Sequence, residues 1–216
     1  MLGLTNFLVR HLLNFLFTII SVVLLDYFDI VDGWFSIIAA ILIYIISNVS
    51  IKAVQKYKKS KAFGLTRSEY NLIESQIKQA KNHINSLTQQ YIRVRSIRSF
   101  KLINEMTKLS RRIVNIVQAN PQKFYTVEEF FYSHLPSAVH LSKNYTMLVQ
   151  QQIKDADVNI ALEEARKAMK SLQDTMEDDL KAALSADIEN LKLELDYVKM
   201  EREKKQQQIE FRREDQ

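Results

Sequence analysis

The sequence predicts an all-α protein, with an N-terminal two-span transmembrane helical hairpin followed by a cytoplasmic bundle of long amphipathic helices. Three observations predict this class: two long apolar stretches near the start that together contain a single charged residue, heptad spacing of apolar residues over most of the rest, and few helix breakers. The 216 residues include 3 Gly, 2 Pro and no Cys. So few glycines exclude Gly-rich phosphate loops and dinucleotide turns, and the lack of turn residues argues against β-barrels and sandwiches. The lack of Cys excludes disulfides and thiolate metal sites.

The two apolar stretches cover residues 7–25 and 34–51. A bilayer core about 30 Å thick needs roughly 20 helical residues, so each stretch is just long enough to cross it. The connecting residues 26–33 (DYFDIVDG) contain three Asp and one Gly, which suits a tight polar turn. We therefore predict that residues 1–51 form a transmembrane hairpin. A cleaved signal peptide fits less well, because a second apolar stretch follows at once.

The positive charges around the two stretches predict the orientation of the hairpin. Arg10 lies in the first turns of the first stretch, and the turn between the stretches has neither Lys nor Arg. The second stretch is followed by a basic juxtamembrane linker, residues 52–65, with five lysines: Lys52, Lys56, Lys58, Lys59 and Lys61. The positive-inside rule places both termini in the cytoplasm. We also expect these lysines to contact anionic lipid headgroups.

The third region, residues 66–200, is predicted to be a cytoplasmic helical domain. Thr66 with Glu69 forms a capping-box pattern, which marks a helix start. Two heptad seams follow: Tyr70, Ile73, Ile77, Ala80, Ile84, Leu87, Tyr91 and Val94, then Leu102, Met106, Leu109, Ile113 and Ile116. A break near residues 96–99 is left open, and Asn120–Pro121 predicts a helix end.

Later helices are predicted by the same signals. Thr126 with Glu129 repeats the capping pattern and predicts a short aromatic helix. Pro136 either ends this helix or starts the next one, which is predicted over roughly residues 137–151. From residue 155 onward there is no breaker, and residues 201–216 form a charged tail. The last helix has two seams with a stutter near Leu180: Leu162, Ala165, Met169, Leu172 and Met176, then Leu184, Ile188, Leu191, Leu195 and Val198.

The basic charge is concentrated in residues 52–123, which hold 16 Lys and Arg but 3 Asp and Glu. Its most distinctive members are five arginines: Arg93, Arg95, Arg98, Arg111 and Arg112. Arginines held on helices suit bidentate contacts to phosphate, so they are candidates for an anion or lipid-phosphate site, with Arg98 pointing inward. The alternative, which we favour, is a set of salt bridges to the acidic C-terminal helix.

No catalytic or metal-binding pattern is evident. His134 and His140 are six residues apart, which is not the spacing of two zinc ligands on one helix face, and Ser133 beside His134 cannot form a triad. We therefore expect no cofactor and no metal. The aromatic residues Phe124, Tyr125, Phe130, Phe131 and Tyr132 are expected in the core and not as a base-stacking surface. Nucleic-acid binding by the basic block is a further alternative, which we do not favour because the block directly follows the predicted membrane hairpin and would lie near lipid.

Three segments of the sequence resemble the bacterial XpaC family, usually described as "5-bromo-4-chloroindolyl phosphate hydrolysis protein". They are RVRSIRSFKLINEMTKLSRRIVNIV (residues 93–117), QKFYTVEEFFYSHLPSAVHLSKNY (122–145) and DDLKAALSADIENLKLELDYVK (178–199). The resemblance covers roughly residues 65–200, with the N-terminal hydrophobic hairpin similar in kind. It implies hydrolysis of a phosphate ester, a bacterial cell-membrane location, a role in envelope stress or toxic-anion resistance, and a partner of the TelA type.

From the residues themselves we expect a non-enzymatic function. A membrane-anchored helical protein would bind a partner or anionic lipid, and its seams could also pair between two copies. The enzymatic alternative is a membrane-bound phosphate-ester hydrolase, in which the five arginines hold the ester and His134 or Glu128 acts as base.

Overall fold

The computed structural model describes residues 11–12, 14–23, 34–93, 96–153 and 155–214. Throughout these ranges the regular structure is helical, which confirms the all-α prediction. The chain divides into two compact units, Met1–Tyr70 and Asn71–Gln216. Arg10, Arg95 and the connecting residues 26–33 lie outside the described ranges.

The N-terminal unit contains a helical segment at residues 14–23 and the helix α1, Trp34–Ala62. Within the described part of the chain, no helix has both the length and the apolar character needed to cross a bilayer. The predicted spans 7–25 and 34–51 are therefore not supported by the structure, and part of the first lies outside the described residues.

The end of α1 is fixed by Gly64. The amide of Leu65 donates to the Ser60 carbonyl at 2.9 Å, and the amide of Gly64 donates to the Lys61 carbonyl at 3.1 Å. This is the Schellman arrangement, which requires a left-handed residue after the helix, and Gly64 has φ 63°. The next helix, α2 (Arg67–Arg93), begins with the predicted capping box: Thr66 donates its amide to Glu69 Oε2 at 2.8 Å.

In the second unit, α2 packs antiparallel against α3 (Ile97–Ala119). Lys81 Nζ donates to Gln118 Oε1 at 2.6 Å, and Arg111 donates to Thr88 Oγ1 at 3.1 Å. The seam of α2 is buried as predicted, at Ile73, Ile77, Ala80, Ile84 and Leu87. Helix α3 buries its seam from Leu102 to Ile113, while Ile116 is half-buried. It also buries a second stripe beside the seam, which the heptad pattern did not predict: Ile103, Thr107, Ser110, Val114 and Val117. Helix α3 is therefore the central helix of the bundle.

The break left open near residues 96–99 is present. Helix α2 ends at Arg93 and α3 begins at Ile97, while Ser96 between them has an extended backbone with φ −80° and ψ 124°. Helix α3 ends at Ala119, one residue before the predicted Asn120–Pro121 boundary.

The aromatic segment differs from its prediction. A 3₁₀ helix runs over Pro121–Val127, so Thr126 lies inside a helix and does not cap one. Proline is favoured at a first helical position because its φ is already helical and its missing N–H is not needed there. Pro121 starts this helix six residues before Val127, where a cap at Thr126 would have started it. A π-helical turn, Phe130–His134, leads directly into α4, Leu135–Gln151, with Pro136 in its first turn.

The prediction that the aromatic residues lie in the core is confirmed for three of the five and wrong for Tyr125 and Tyr132, which are exposed. Phe124, Phe130 and Phe131 are buried, with Phe130 and Phe131 packed edge to face at 5.1 Å between ring centroids. The last helix, α5, runs over Ala156–Glu214 and contacts α3 and α4. It lies antiparallel to α4, since His134 meets Asp179 and Ser142 meets Met169.

Candidate functional site

The N-terminal unit places polar side chains between its helices and apolar side chains outside. Asn14 is fully buried, and its Oδ1 accepts a hydrogen bond from Ser47 Oγ at 2.7 Å. Asn14 also donates to Asn48 at 3.4 Å, and one turn earlier His11 Nδ1 contacts the Tyr44 hydroxyl at 2.7 Å. Unsatisfied polar groups are costly wherever water is excluded, so these contacts suit a segment surrounded by apolar material.

The outward face of this unit is strongly apolar. The exposed large side chains include the following: Leu12, Phe15, Leu16, Phe17, Ile19, Ile20, Val23, Phe35, Ile38, Ile41, Leu42, Ile45, Ile46 and Val49. A contiguous apolar surface of this kind marks contact with lipid or with another protein. Between residues 15–23 and α1 it includes a groove of about 440 Å³, lined by residues such as Phe15, Val22 and Ile41.

The five predicted lipid-contacting lysines all lie on the last three turns of α1. Lys52, Lys58, Lys59 and Lys61 are exposed, and Lys56 is half-buried. Helix α1 contains no Asp or Glu, so no acid on the same helix offsets their charge. The basic patch therefore follows directly on the apolar surface along one continuous helix.

The predicted arginine cluster is spread out. Arg93 ends α2, while Arg98, Arg111 and Arg112 lie on α3; all four are exposed. The expectation that Arg98 points inward is wrong, since the inward position at the start of α3 is occupied by Ser99, which is buried. Arg98 and Arg112 are 14 residues apart on one helix, about 21 Å at 1.5 Å per residue. One phosphate cannot touch both.

The favoured alternative for these arginines was ion pairing with the C-terminal helix. Among the described residues, the basic side chains that pair with acids of α5 from other elements are Lys123, with Asp187, and His134, with Asp179. Arg111 instead binds the hydroxyl of Thr88. The arginines thus form a dispersed basic surface on α2 and α3, and their role as an anion site stays a prediction.

A histidine–carboxylate cluster is the main feature that sequence reasoning missed. His134 Nδ1 lies 2.7 Å from Asp179 Oδ2, and His134 Nε2 lies 3.9 Å from Glu129 Oε2. His134 and Asp179 are largely buried, while Glu129 is exposed. Burial raises the pKa of Asp179 above its ordinary value, and the hydrogen bond with His134 opposes that rise.

The signal for Asp179 was present in the heptad pattern. The buried residues of α5 are Met169, Met176 and Ala183, spaced by seven. Asp179 lies three residues after Met176 and four before Ala183, so it occupies a seam position that faces the bundle. Because Asp179 follows two other acids, Glu177 and Asp178, only the heptad spacing distinguishes it from them in the sequence.

The cluster joins an imidazole to two carboxylates, one buried and one exposed. When Asp179 accepts a hydrogen bond from Nδ1–H of His134, it fixes the orientation of the imidazole ring, and Nε2 then points toward Glu129. A histidine oriented in this way by a carboxylate is the arrangement found in general acid–base catalysis. Among the described residues, no group of three or more His, Asp and Glu side chains is arranged to bind a metal ion. The predicted base Glu128 is exposed at the junction of the 3₁₀ helix and the π-helical turn.

Comparison with known proteins identifies the family of this chain. The family described as "5-bromo-4-chloroindolyl phosphate hydrolysis protein" matches residues 4–198, which include the N-terminal unit and most of the bundle. The chain belongs to this family. The resemblance noted over residues 65–200 is thereby confirmed and extended toward the N-terminus.

Within the family, the chain is similar to protein XpaC of Bacillus subtilis (strain 168). The two are 33% identical over 135 residues, which is 62% of this chain and 66% of the relative. The matched region therefore covers slightly less than two thirds of the relative's length. No solved structure matches the chain.

Proposed function

We propose that this chain is a membrane-anchored helical interaction protein. A hairpin formed by residues 7–25 and 34–51 anchors it, the five lysines of α1 bind anionic lipid headgroups, and both termini lie in the cytoplasm of a bacterium. The helical bundle then presents surfaces to a partner protein, of the TelA type that the family resemblance implies, in envelope stress or toxic-anion resistance.

The observation that carries the proposal is the polarity of the N-terminal unit. Asn14, Ser47 and Asn48 bond to one another in its interior, while large apolar side chains cover its outside. In water this arrangement would be inverted, because burying apolar surface is the main favourable term in folding. Since no helix among the described residues has both the length and the apolar character needed to cross a bilayer, the proposal rests on this polarity together with the two apolar stretches in the sequence.

Single-cysteine labelling tests the anchor and its orientation, because the chain has no Cys of its own. In intact cells, we expect a membrane-impermeant maleimide to label Asp29→Cys, and to label Lys58→Cys only after permeabilisation of the membrane. Labelling of both variants in intact cells, or of neither until permeabilisation, would contradict the predicted hairpin. Release of the full chain from membranes by alkaline carbonate would contradict the anchor itself.

Vesicle reconstitution tests the lysine contacts separately. In the test variant, the five lysines of α1 are changed to Gln. We expect this full-length variant to bind anionic vesicles more weakly than the unaltered chain does, and to bind neutral vesicles equally well. The reason is that each lysine near an anionic surface contributes about 1 kcal/mol to binding. A matched control changes five exposed lysines elsewhere: Lys143, Lys167, Lys192, Lys204 and Lys205. An equal loss of binding to anionic vesicles in both variants would show that the net charge of the chain determines binding, and not the location of the five lysines next to the apolar surface of α1.

The second candidate function is a phosphate-ester hydrolase, favoured by the His134–Asp179 pair and by the family's description. The full chain would be assayed with 5-bromo-4-chloroindolyl phosphate. Hydrolysis that falls at least tenfold in both His134→Ala and Asp179→Asn, but not in the exposed control Asp196→Asn, would support this candidate. Hydrolysis equal in all three variants, or absent from the unaltered chain, would remove it.

A further inference from the structure

Helix α5 leaves the bundle about halfway along its length. Its bundle-facing positions are Met169, Met176 and Ala183, all buried, and the next position at the same spacing is Asn190, which is exposed. From residue 185 to residue 206 every side chain is exposed. The buried stripe therefore ends at Ala183, and from residue 185 to residue 206 the helix buries none of its faces, although Asp187 still pairs with Lys123.

The protruding part of α5 still carries an apolar seam. The seam consists of Leu184, Ile188, Leu191, Leu195 and Val198, with spacings of four, three, four and three residues. The last four of these side chains are between 45% and 56% exposed. In heptad terms, Ile188 and Leu195 occupy a positions, and Leu191 and Val198 occupy d positions. A seam of this spacing is the contact face of a coiled coil, and the described part of this chain does not cover it.

The charged residues beside the seam determine which partner and which direction fit. Acids precede the a positions (Asp187, Glu194 and Glu201), and bases follow the d positions (Lys192 and Lys199). In a parallel pair of identical helices these flanking positions meet across the interface, so Glu194 faces Lys199 of the second copy. In an antiparallel pair, acid would face acid and base would face base.

We propose that two copies of this chain associate through residues 184–198 of α5 as a parallel, in-register coiled coil. The inference is independent of the membrane anchor. Ile188 at a followed by Leu191 at d is the combination that favours two strands, whereas Leu195 at a followed by Val198 at d has the reverse order. Asp187 already binds Lys123 of its own chain, so the pair between Glu194 and Lys199 is the principal charged contact. Two heptads bury little surface, and the dimer dissociates on dilution.

Disulfide formation between single cysteines in the full-length, otherwise Cys-free chain tests the geometry. In a parallel in-register pair each residue of the seam meets its own counterpart, so Ile188→Cys and Val198→Cys should each form a homodimeric disulfide under mild oxidation. We expect at least a tenfold higher cross-linked fraction than in Leu193→Cys. Leu193 is the matched control, because it is 64% exposed but lies on the opposite side of the helix.

Mixing the Ile188→Cys and Val198→Cys variants distinguishes the alternatives. An antiparallel pair centred near residue 193 would join position 188 of one copy to position 198 of the other, giving disulfides in the mixture and little in either variant by itself. That outcome overturns the parallel arrangement. A cross-linked fraction equal to that of Leu193→Cys at both positions, in membranes and in detergent, overturns self-association and leaves the seam to a different protein.

A charge exchange tests the pairing itself. In the Val198→Cys background, Glu194→Lys or Lys199→Glu alone brings like charges together across the interface, and we expect the cross-linked fraction to fall several-fold. The double exchange restores opposite charges and should restore cross-linking. Because Lys199 also lies 3.9 Å from Asp196 on its own helix, a loss that the double exchange does not recover would assign the effect to that local contact and overturn the proposed pairing.

Discussion

The two units of this chain use polar and apolar side chains in opposite ways. In the N-terminal unit Asn14 is buried between helices, whereas its neighbour Phe15 is 64% exposed. In the bundle Phe130 is fully buried and Tyr132, two residues on, is 53% exposed. Both units are helical and rich in large apolar residues, so the contrast is the one expected if the proposed anchor holds: a bundle in water must bury its apolar surface, whereas helices in lipid need not.

The largest expected effect is on the bundle core. Phe130→Ala removes a fully buried ring packed against Phe131, so we expect the free energy of unfolding to fall by about 3–5 kcal/mol. Denaturant unfolding of the full chain in detergent, followed by circular dichroism, measures this loss. Tyr132→Ala and Phe15→Ala are controls with exposed rings, and each should cost less than about 1 kcal/mol. If Phe15→Ala lowered the free energy of unfolding as much as Phe130→Ala, the two units would not differ in how they use apolar side chains.

Helix capping should differ between two sites with the same sequence pattern. Thr66→Ala removes the hydroxyl that accepts from the Glu69 amide at 3.3 Å, so we expect a loss of about 1 kcal/mol in stability. Thr126→Ala is the matched control, because Thr126 lies within the 3₁₀ helix and does not cap it. Thermal unfolding of both variants tests this difference, and equal shifts would show that the capping bond at Thr66 contributes nothing.

A smaller effect is expected for the polar contacts of the N-terminal unit. Asn14→Leu removes the acceptor of Ser47 and the donor to Asn48, and hydrogen bonds between membrane helices contribute about 0.6 kcal/mol on average. Unfolding by sodium dodecyl sulfate can be monitored through the loss of helical circular dichroism. We expect the unfolding midpoint of Asn14→Leu to lie at a slightly lower detergent concentration than that of Phe15→Leu. A later midpoint would show that this unit prefers an apolar interior, as the bundle does.

The smallest effect is a change in the pH dependence of bundle stability. Burial raises the pKa of Asp179, with smaller raising contributions from Asp178 and Glu129, while His134 opposes them. An acid with a raised folded pKa holds its proton more tightly when folded, so its contribution is present below the ordinary Asp pKa and lost as pH rises through the raised value.

Asp179→Asn should therefore flatten the decline in stability as pH rises through the acidic range. Thermal unfolding of this variant and of Asp196→Asn, whose carboxylate is exposed, at a series of pH values gives the comparison. An unchanged slope in Asp179→Asn would show that the buried carboxylate does not contribute to the pH dependence.

Much of the local structure was predictable because it depends on neighbouring residues. The capping box at Thr66, the end of α3 before Asn120–Pro121 and the buried seam of α2 all follow from short-range patterns. The start of the aromatic segment was predicted wrongly, because a 3₁₀ helix begins at Pro121 and contains Thr126, so Thr126 is not at a helix N-terminus. The resemblance to the family was likewise available from the sequence and was confirmed.

The candidate sites depended more on contacts between distant parts of the chain. The arginines were recognisable by type, but their spread over α2 and α3, with Arg98 exposed, follows from how those helices pack. His134 and Asp179 are 45 residues apart, and the antiparallel packing of α4 on α5 brings them together.

By itself, the sequence determined that the chain is helical, where most helices begin and end, and which residues form the seams, because breakers, caps and periodicity act over a few residues. Tertiary structure decided which seam is buried and which protrudes, with α5 leaving the bundle at Asn190, and which polar residues meet in the N-terminal unit. A heptad seam specifies an apolar face but not its partner, because the partner is set by packing and charge across the whole fold.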